Sequence, residues 1–227
     1  MATSSMSVGA QLAIKRELEK LFRTPHFPAP IPLPFTSACS WKVNNYPYTA
    51  FKHPDGAKTL LVLTTIPGAH MPRCMAVLVS SGMVISKVQL PNLSQSLFKG
   101  TVFDGFLDRS KPQLEFVVVD CLAFKGRHDP TLNLAQRRAG VSAFMTNIGT
   151  DPHAECLVVR ECESCPVRDV PGEGTWLLVP DEKGSPAIGK LSPDMYLVCF
   201  DDLRSMLPDR SADTADVQQH DDDVDVK

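Results

Sequence analysis

Lys52-His53-Pro54-Asp55-Gly56-Ala57-Lys58 sets two nitrogen nucleophiles beside a turn. A lysine amine attacks only when deprotonated, which burial and cationic neighbours can arrange near neutral pH. A histidine imidazole can form a phosphoramidate instead. Lys52 and His53 end a strand-like run, YTAF, and TLLVL begins another just beyond. Asp55-Gly56 suits a sharp turn between them, because glycine accepts positive φ. Lys58 follows closely enough to meet a phosphate. The plainer reading is a hairpin whose tip carries charged residues.

A second constellation lies in HAECLVVRECESC: His153, Cys156, Cys162 and Cys165. These residue types ligate zinc, and Cys-x-x-Cys is a common half-site. The intervening LVVRE reads as a strand and is short for a zinc ribbon, so free thiols in a surface hairpin are the competing reading. No helix clearly follows Cys162 and Cys165 to lower a thiol pKa for redox work. Four large aromatics, Trp41, Phe106, Phe124 and Trp176, are of the residue types that stack on a flat ring. Each is equally a core residue by type.

The elements that must position these groups alternate in character. Residues 6–24 carry Val8, Leu12, Leu18, Leu21 and Phe22 near helical spacing. TPHFPAPIPLPF then removes amide donors and favours an extended chain laid on a surface. From Trp41 onward, short apolar runs bounded by Gly, Pro, Asn or Asp read as strands: YTAF, TLLVLTT, MAVLVSS, MVISKVQL, GTVFDGFL and LEFVVVDCLAF. SSG between the third and fourth reads as a hairpin turn. LNLAQRRAGVSAFM reads as a helix with Leu134, Val141, Phe144 and Met145 inward, and ECLVVRE, GTWLLVP and DMYLVCF as late strands. This order predicts an α+β domain with mostly antiparallel sheets and flanking helices. The division expected is an N-terminal helix in 1–24, a proline-rich link in 25–40, the main domain in 41–208 and a disordered acidic tail in 209–227.

Composition narrows the partners. Hydrophobic residues are 43% of the 227, ample for a core. The net charge of -3 argues against a protein that coats nucleic acid with its whole surface, though not against a local basic groove. The start, MATSSMSVGAQLAIKRELEK, has no apolar core of signal-peptide length, and no run of about 18 apolar residues occurs to span a membrane. Seven scattered cysteines suggest reduced thiols and an intracellular location, cytoplasmic or nuclear.

SLFKGTVFDGFLD, QLEFVVVDCLAFKGR and GEGTWLLVPDEKGSPAIGKLSPDMYLVCFDDL follow the lysine turn in order. With the proline-rich lead-in, residues 10–207 resemble the nucleotidyltransferase domain of mRNA capping guanylyltransferases. That fold is shared with ATP-dependent DNA ligases and with the cap-binding domain of snurportin. The family's K-x-D-G motif matches Asp55 and Gly56 and puts the nucleophile's place on His53. Lys52 lies one residue earlier, on the opposite strand face unless a bulge near Pro54 re-aims it. Lys58 matches the family's following basic residue. D-G-E becomes Asp104-Gly105-Phe106, which loses an acceptor and suits stacking better than catalysis. The resemblance implies that Phe124, with Asp120 nearby, stacks on the purine. It also implies that Glu173 holds magnesium or manganese, and that Lys190 of Lys190-Leu191-Ser192-Pro193 faces a phosphate while the motif's second lysine is lost. The 19 residues after Pro208, 7 of them Asp, are too few for the OB-fold domain of active capping enzymes.

The expectation is therefore a catalytically degenerate protein that binds a guanine nucleotide or the capped 5′ end of RNA. One alternative is an active RNA guanylyltransferase using Lys52 or His53 with a divalent metal. Another is an interaction protein that keeps the fold, holds zinc through the 153–165 cluster and engages a basic partner through its acidic tail. The first two readings require the Asp55 tip, Phe124 and the Lys190 loop to meet at one nucleotide-sized hollow.

Overall fold

The structure, a computed structural model, describes residues 6–68, 71–91, 93–149, 156–181 and 195–206. The acidic tail, His153 and Lys190 lie outside the described residues. Helix α1 (Val8–Phe22) is capped by Ser7, whose side chain accepts from the Ala10 amide, and ends at Arg23 in the left-handed region. Its buried stripe is Ile14, Leu18 and Phe22, at steps of four. Val8 and Leu12, expected to face inward, are 72% and 49% exposed, because the i, i+4 row from Ile14 already covers the sheet below.

The proline-rich link is not wholly irregular. Leu33–Pro34 form β1, a parallel edge strand whose Leu33 and Phe35 amides donate to Met195 and Leu197 at 2.9 Å. Proline fits there because an edge position asks no amide of Pro34. Ser37–Asn45 form α2, so Trp41 begins no strand. The helix stops just before Tyr46-Pro47, where proline disfavours helical geometry in the preceding residue.

The strands then follow the apolar runs: β2 (Tyr48–Lys52), β3 (Ala57–Ile66), β4 (Arg73–Ser80), β5 (Ile85–Val88), β6 (Thr101–Asp108) and β7 (Glu115–Ala123). Helix α3 (Leu134–Asn147) opens with a reciprocal cap between Asn133 and Gln136 and buries Leu134, Val141 and Phe144. β8 (Val158–Glu161), β9 (Ser164–Pro166), β10 (Thr175–Pro180), β11 (Tyr196–Cys199) and α4 (Phe200–Met206) complete the described chain. The turn after β4 places Met83, not Gly82, at positive φ. Of the described helices, none is long and apolar enough to cross a membrane.

Two sheets result, and the α+β architecture is as expected. One has the order β5-β4-β3-β6-β7-β8, the other β1-β11-β10-β2-β9. All pairings are antiparallel except β1 with β11 and β7 with β8. One face of the six-stranded sheet packs on α3 through Phe103, Val118, Val141 and Phe144. On the other, Leu60, Val62 and Val102 meet α1. Beside them Phe106, Val117 and Val119 meet Phe51, Leu177 and Val179 of the five-stranded sheet. The two sheets are thus joined by an apolar cluster that begins where the 52–58 segment crosses between them.

Candidate functional site at the Lys52–Lys58 crossover

The Asp55-Gly56 turn is not a hairpin. β2 pairs with β10 and β9, whereas β3 pairs with β4 and β6. Pro54 has no amide to continue a ladder. Gly56 takes φ +117°, and a Cβ there would lie 2.3 Å from the Leu107 carbonyl oxygen. Only glycine lets the chain pass so close to the end of β6 and enter β3.

The register of β2 decides which nucleophile candidate faces inward. Phe51 opposes Leu177 and Lys52 opposes Trp176, with no bulge to re-aim either. Lys52 therefore takes the face of Ala50, is exposed, and has no ion-pair partner among the described residues. His53 follows Phe51 inward, its amide donating to the Thr175 carbonyl. Its imidazole meets the Phe106 ring edge-on at 4.8 Å. Burial, aided by Lys58 and opposed by Asp55, holds the imidazole below its ordinary pKa, so at neutral pH it is an uncharged base.

Lys58 does not reach into open space. Its Nζ donates to Asp104 Oδ2 at 2.7 Å, with 9% and 1% of the two side chains exposed. It also lies 4.8 Å over the Phe106 ring. Phe106 itself is 3% exposed and belongs to the cluster between the sheets, so it offers no open face for a base. Burial pushes the Asp104 carboxyl up to about 6, against the pull of Lys58 and with a smaller push from Asp120. Asp104 Oδ1 is buried without a hydrogen-bond partner among the described residues.

Beside this buried group is a pocket of about 230 Å³ lined by Lys52, His53, Asp55, Val117, Arg160 and Glu163, among others. The sequence reading missed the last two. Arg160 sits on β8, which joins the sheet edge parallel to β7, and its Nε is paired with Glu115. Glu163 is fixed by its carbonyl, which accepts from the Lys52 amide at 3.1 Å. Cys162 lies between them with its thiol donating to the Lys52 carbonyl at 3.2 Å, and burial pushes that thiol up to about 11. The pocket is below the roughly 300–1,000 Å³ of sites that enclose a whole small ligand. It is the size of a base or a phosphate.

The other predicted residues lie elsewhere. Phe124 stands seven residues beyond Val117 along β7, roughly 20 Å away at about 3.3 Å per residue. Its ring lies beneath Lys125, at 5.2 Å, and lines a separate pocket of about 270 Å³ against α3. Phe124 and Asp55 therefore share no hollow. Trp176 is buried beneath α2 and α4, and Trp41 is exposed in an edge-on pair with Tyr46. Among the described residues, none of the four candidate aromatics contacts another ring of that set.

Glu173 is exposed in the loop before β10, two residues from Thr175, and so borders the same crossover. Among the described residues no three His, Cys, Asp or Glu side chains gather as a metal site. Among the described residues Glu173 has no such partners beside it, and no step is assigned to a divalent ion. Of the 153–165 cluster, Cys156 and Cys162 are buried and Cys165 is half-buried in the five-stranded sheet, while His153 lies outside the described residues.

Arg137 was also not foreseen. Its Nε donates to both oxygens of Asp120, at 3.1 and 2.9 Å, and its Nη2 lies 2.8 Å from Oδ2 but out of line for a hydrogen bond. The signal was present in the sequence. Arg137 occupies an inward position of α3, between Leu134 and Val141, and a cation there requires an acid within an apolar strand.

No family model matches the chain, and no curated protein does. A solved structure to which it is similar is a DNA ligase–adenylate of Chlorella virus, with 12% identity, covering 75% of this chain and 67% of that one, at a TM-score of 0.42.

Proposed function

We propose that this is a protein of the covalent-nucleotidyltransferase fold that binds a guanine nucleotide, or the guanine-capped 5′ end of an RNA, without forming a covalent adduct. The three-part hollow required from the sequence is not met, since Phe124 lines another pocket, so this reading rests instead on Lys52, His53, Asp55, Arg160 and Glu163 lining one base-sized pocket. Guanine presents adjacent N–H donors that a carboxylate accepts in pairs, and Asp55 and Glu163 supply carboxylates. Lys52 and the half-exposed Arg160 supply positive charge for a phosphate leading out of the pocket.

Covalent transfer is disfavoured by the same geometry. Lys52 and His53 leave the chain on opposite faces although both line the pocket, Phe106 replaces an acceptor, and Lys58 is held by Asp104. A phosphate being transferred would lose a charge whose removal from a dry site is worth roughly 3 kcal/mol. The test is incubation with labelled GTP and magnesium, followed by denaturation, in parallel with retention on a cap-analogue resin. Retention without a surviving label is the expected pair of results. A label abolished by His53→Ala assigns the protein to active guanylyl transfer instead. Neither label nor retention leaves the interaction-protein reading, which the solid packing of Phe106 between the sheets favours.

A further inference from the structure

The end of the six-stranded sheet opposite the crossover carries a larger hollow. It has a volume of about 880 Å³ and lies between the last turn of α1, the start of β6 and the turn after β7. Four cations line it: Lys20, Arg23, Lys99 and Arg127, against two carboxylates, Glu17 and Asp129. Both carboxylates are engaged locally. Glu17 accepts from the Thr64 hydroxyl, and Asp129 accepts from the amide and hydroxyl of Thr131. None of the four cations has an ion-pair partner among the described residues. Lys58, Lys111, Arg137, Arg138 and Arg160, by contrast, all do.

The groove is built rather than incidental. Gly126 takes φ +80°, and a Cβ there would lie 2.6 Å from the Lys99 carbonyl oxygen. Its amide donates to the Gly100 carbonyl at 3.1 Å. That contact seats Lys99 and Arg127 side by side on two separate turns. Across from them, Phe22 packs edge-on against His128 at 4.8 Å, fixing the end of α1 and with it Lys20 and Arg23.

We infer that this groove binds the phosphodiester backbone of a single-stranded nucleic acid. The chain carries a net charge of -3, so four unpaired cations on one groove concentrate positive potential against the trend of the molecule. All four side chains are exposed and come from three segments, the end of α1, the approach to β6 and the turn after β7. A compact phosphate is gripped by convergent, ordered donors, whereas a strand is tracked by exposed lysines and arginines spread along its path. The inference stands apart from the guanine reading, because the two sites lie at opposite ends of β6 and β7, roughly 20 Å apart.

The test is fluorescence anisotropy with a labelled mixed-sequence 12-nucleotide RNA, and its DNA counterpart, across a salt series. The Lys20→Glu/Arg127→Glu variant is expected to lose at least tenfold in affinity and to flatten the log–log salt slope by about 1.4, two contacts at about 0.7 each. The Arg73→Glu/Lys87→Glu variant makes the same change in net charge on the far strands β4 and β5, and is expected to bind as the parent does. Asp55→Ala should weaken guanine nucleotide binding and leave the strand bound. Equal losses in both double variants, no loss in the first, no binding at low salt, or displacement of the strand by micromolar tripolyphosphate would each overturn the inference.

Discussion

Asp104 and Asp120 face each other across β6 and β7, register partners with 0% and 1% of their surface exposed. Two like charges so placed repel, and each is offset by its own cation, Lys58 for Asp104 and Arg137 for Asp120. This four-residue chain of charges runs through the sheet beneath the crossover. It explains why Lys58 is unavailable to a ligand.

Removing Arg137 alone strands the Asp120 carboxylate in an apolar layer. Arg137→Met is expected to destabilise the fold by about 3–5 kcal/mol, whereas Arg137→Met with Asp120→Leu should restore much of the loss, since paired burial of charge gives little net stability. Urea denaturation of the two variants checks this. A double variant no better than the single would show that the ion pair itself stabilises the sheet.

Asp104 makes stability depend on pH in an unusual direction. Its folded carboxyl titrates at about 6, above its unfolded value of 3.8. The folded state therefore binds this proton more tightly, so the contribution is full below the unfolded value and is lost as pH rises through about 6. The stability of the parent relative to Asp104→Asn should increase on going from pH 7 to pH 4, by up to roughly 3 kcal/mol at 1.36 kcal/mol per unit. Thermal or urea midpoints over that range measure it, and a flat difference contradicts the burial of Asp104 as an acid.

Phe106 fills the join between the sheets and presses on His53. Phe106→Ala should cost about 3–5 kcal/mol, as for other large buried aromatics. It should also admit water to the imidazole, so the His53 pKa should rise toward its ordinary value. An NMR titration of the ring reports the second effect independently of the first. An unchanged His53 pKa would mean that Phe106 does not shield it.

Much of the architecture was legible because burial is periodic. Nine of the described strands coincide with the apolar runs, and α3 presents Leu134, Val141 and Phe144 as its spacing predicts. Pairing was less accessible. β2 and β3 are neighbours in sequence yet belong to different sheets, because Pro54 and Gly56 carry the chain across a gap that only tertiary contacts define. α2 was hidden by weak amphipathicity and a proline-rich approach. The site was half legible. Lys52, His53 and Asp55 do share a pocket, but Phe124 was assigned there by motif likeness although a strand of that length separates its ends by roughly 20 Å. Arg160 and Glu163 were invisible because only the parallel docking of β8 brings them to the pocket.

The cysteines offer a check on the burial of this edge. Cys74 and Cys199 are exposed, whereas Cys121, Cys156 and Cys162 are buried and burial raises the Cys121 and Cys162 thiols. Alkylation of the native protein near pH 8, read by mass spectrometry, should modify the first two and spare the last three until denaturant is added. Rapid native labelling of Cys162 would show the pocket wall to be open.

The most direct measurement is equilibrium binding of GTP to the intact chain, compared with ATP and with the Asp55→Ala/Glu163→Ala variant. Saturable binding of one GTP per chain is expected, weaker for ATP, and reduced at least tenfold when the two carboxylates are removed. No saturable binding, or binding that neither distinguishes the two bases nor responds to the loss of Asp55 and Glu163, would contradict the assignment of this pocket to guanine.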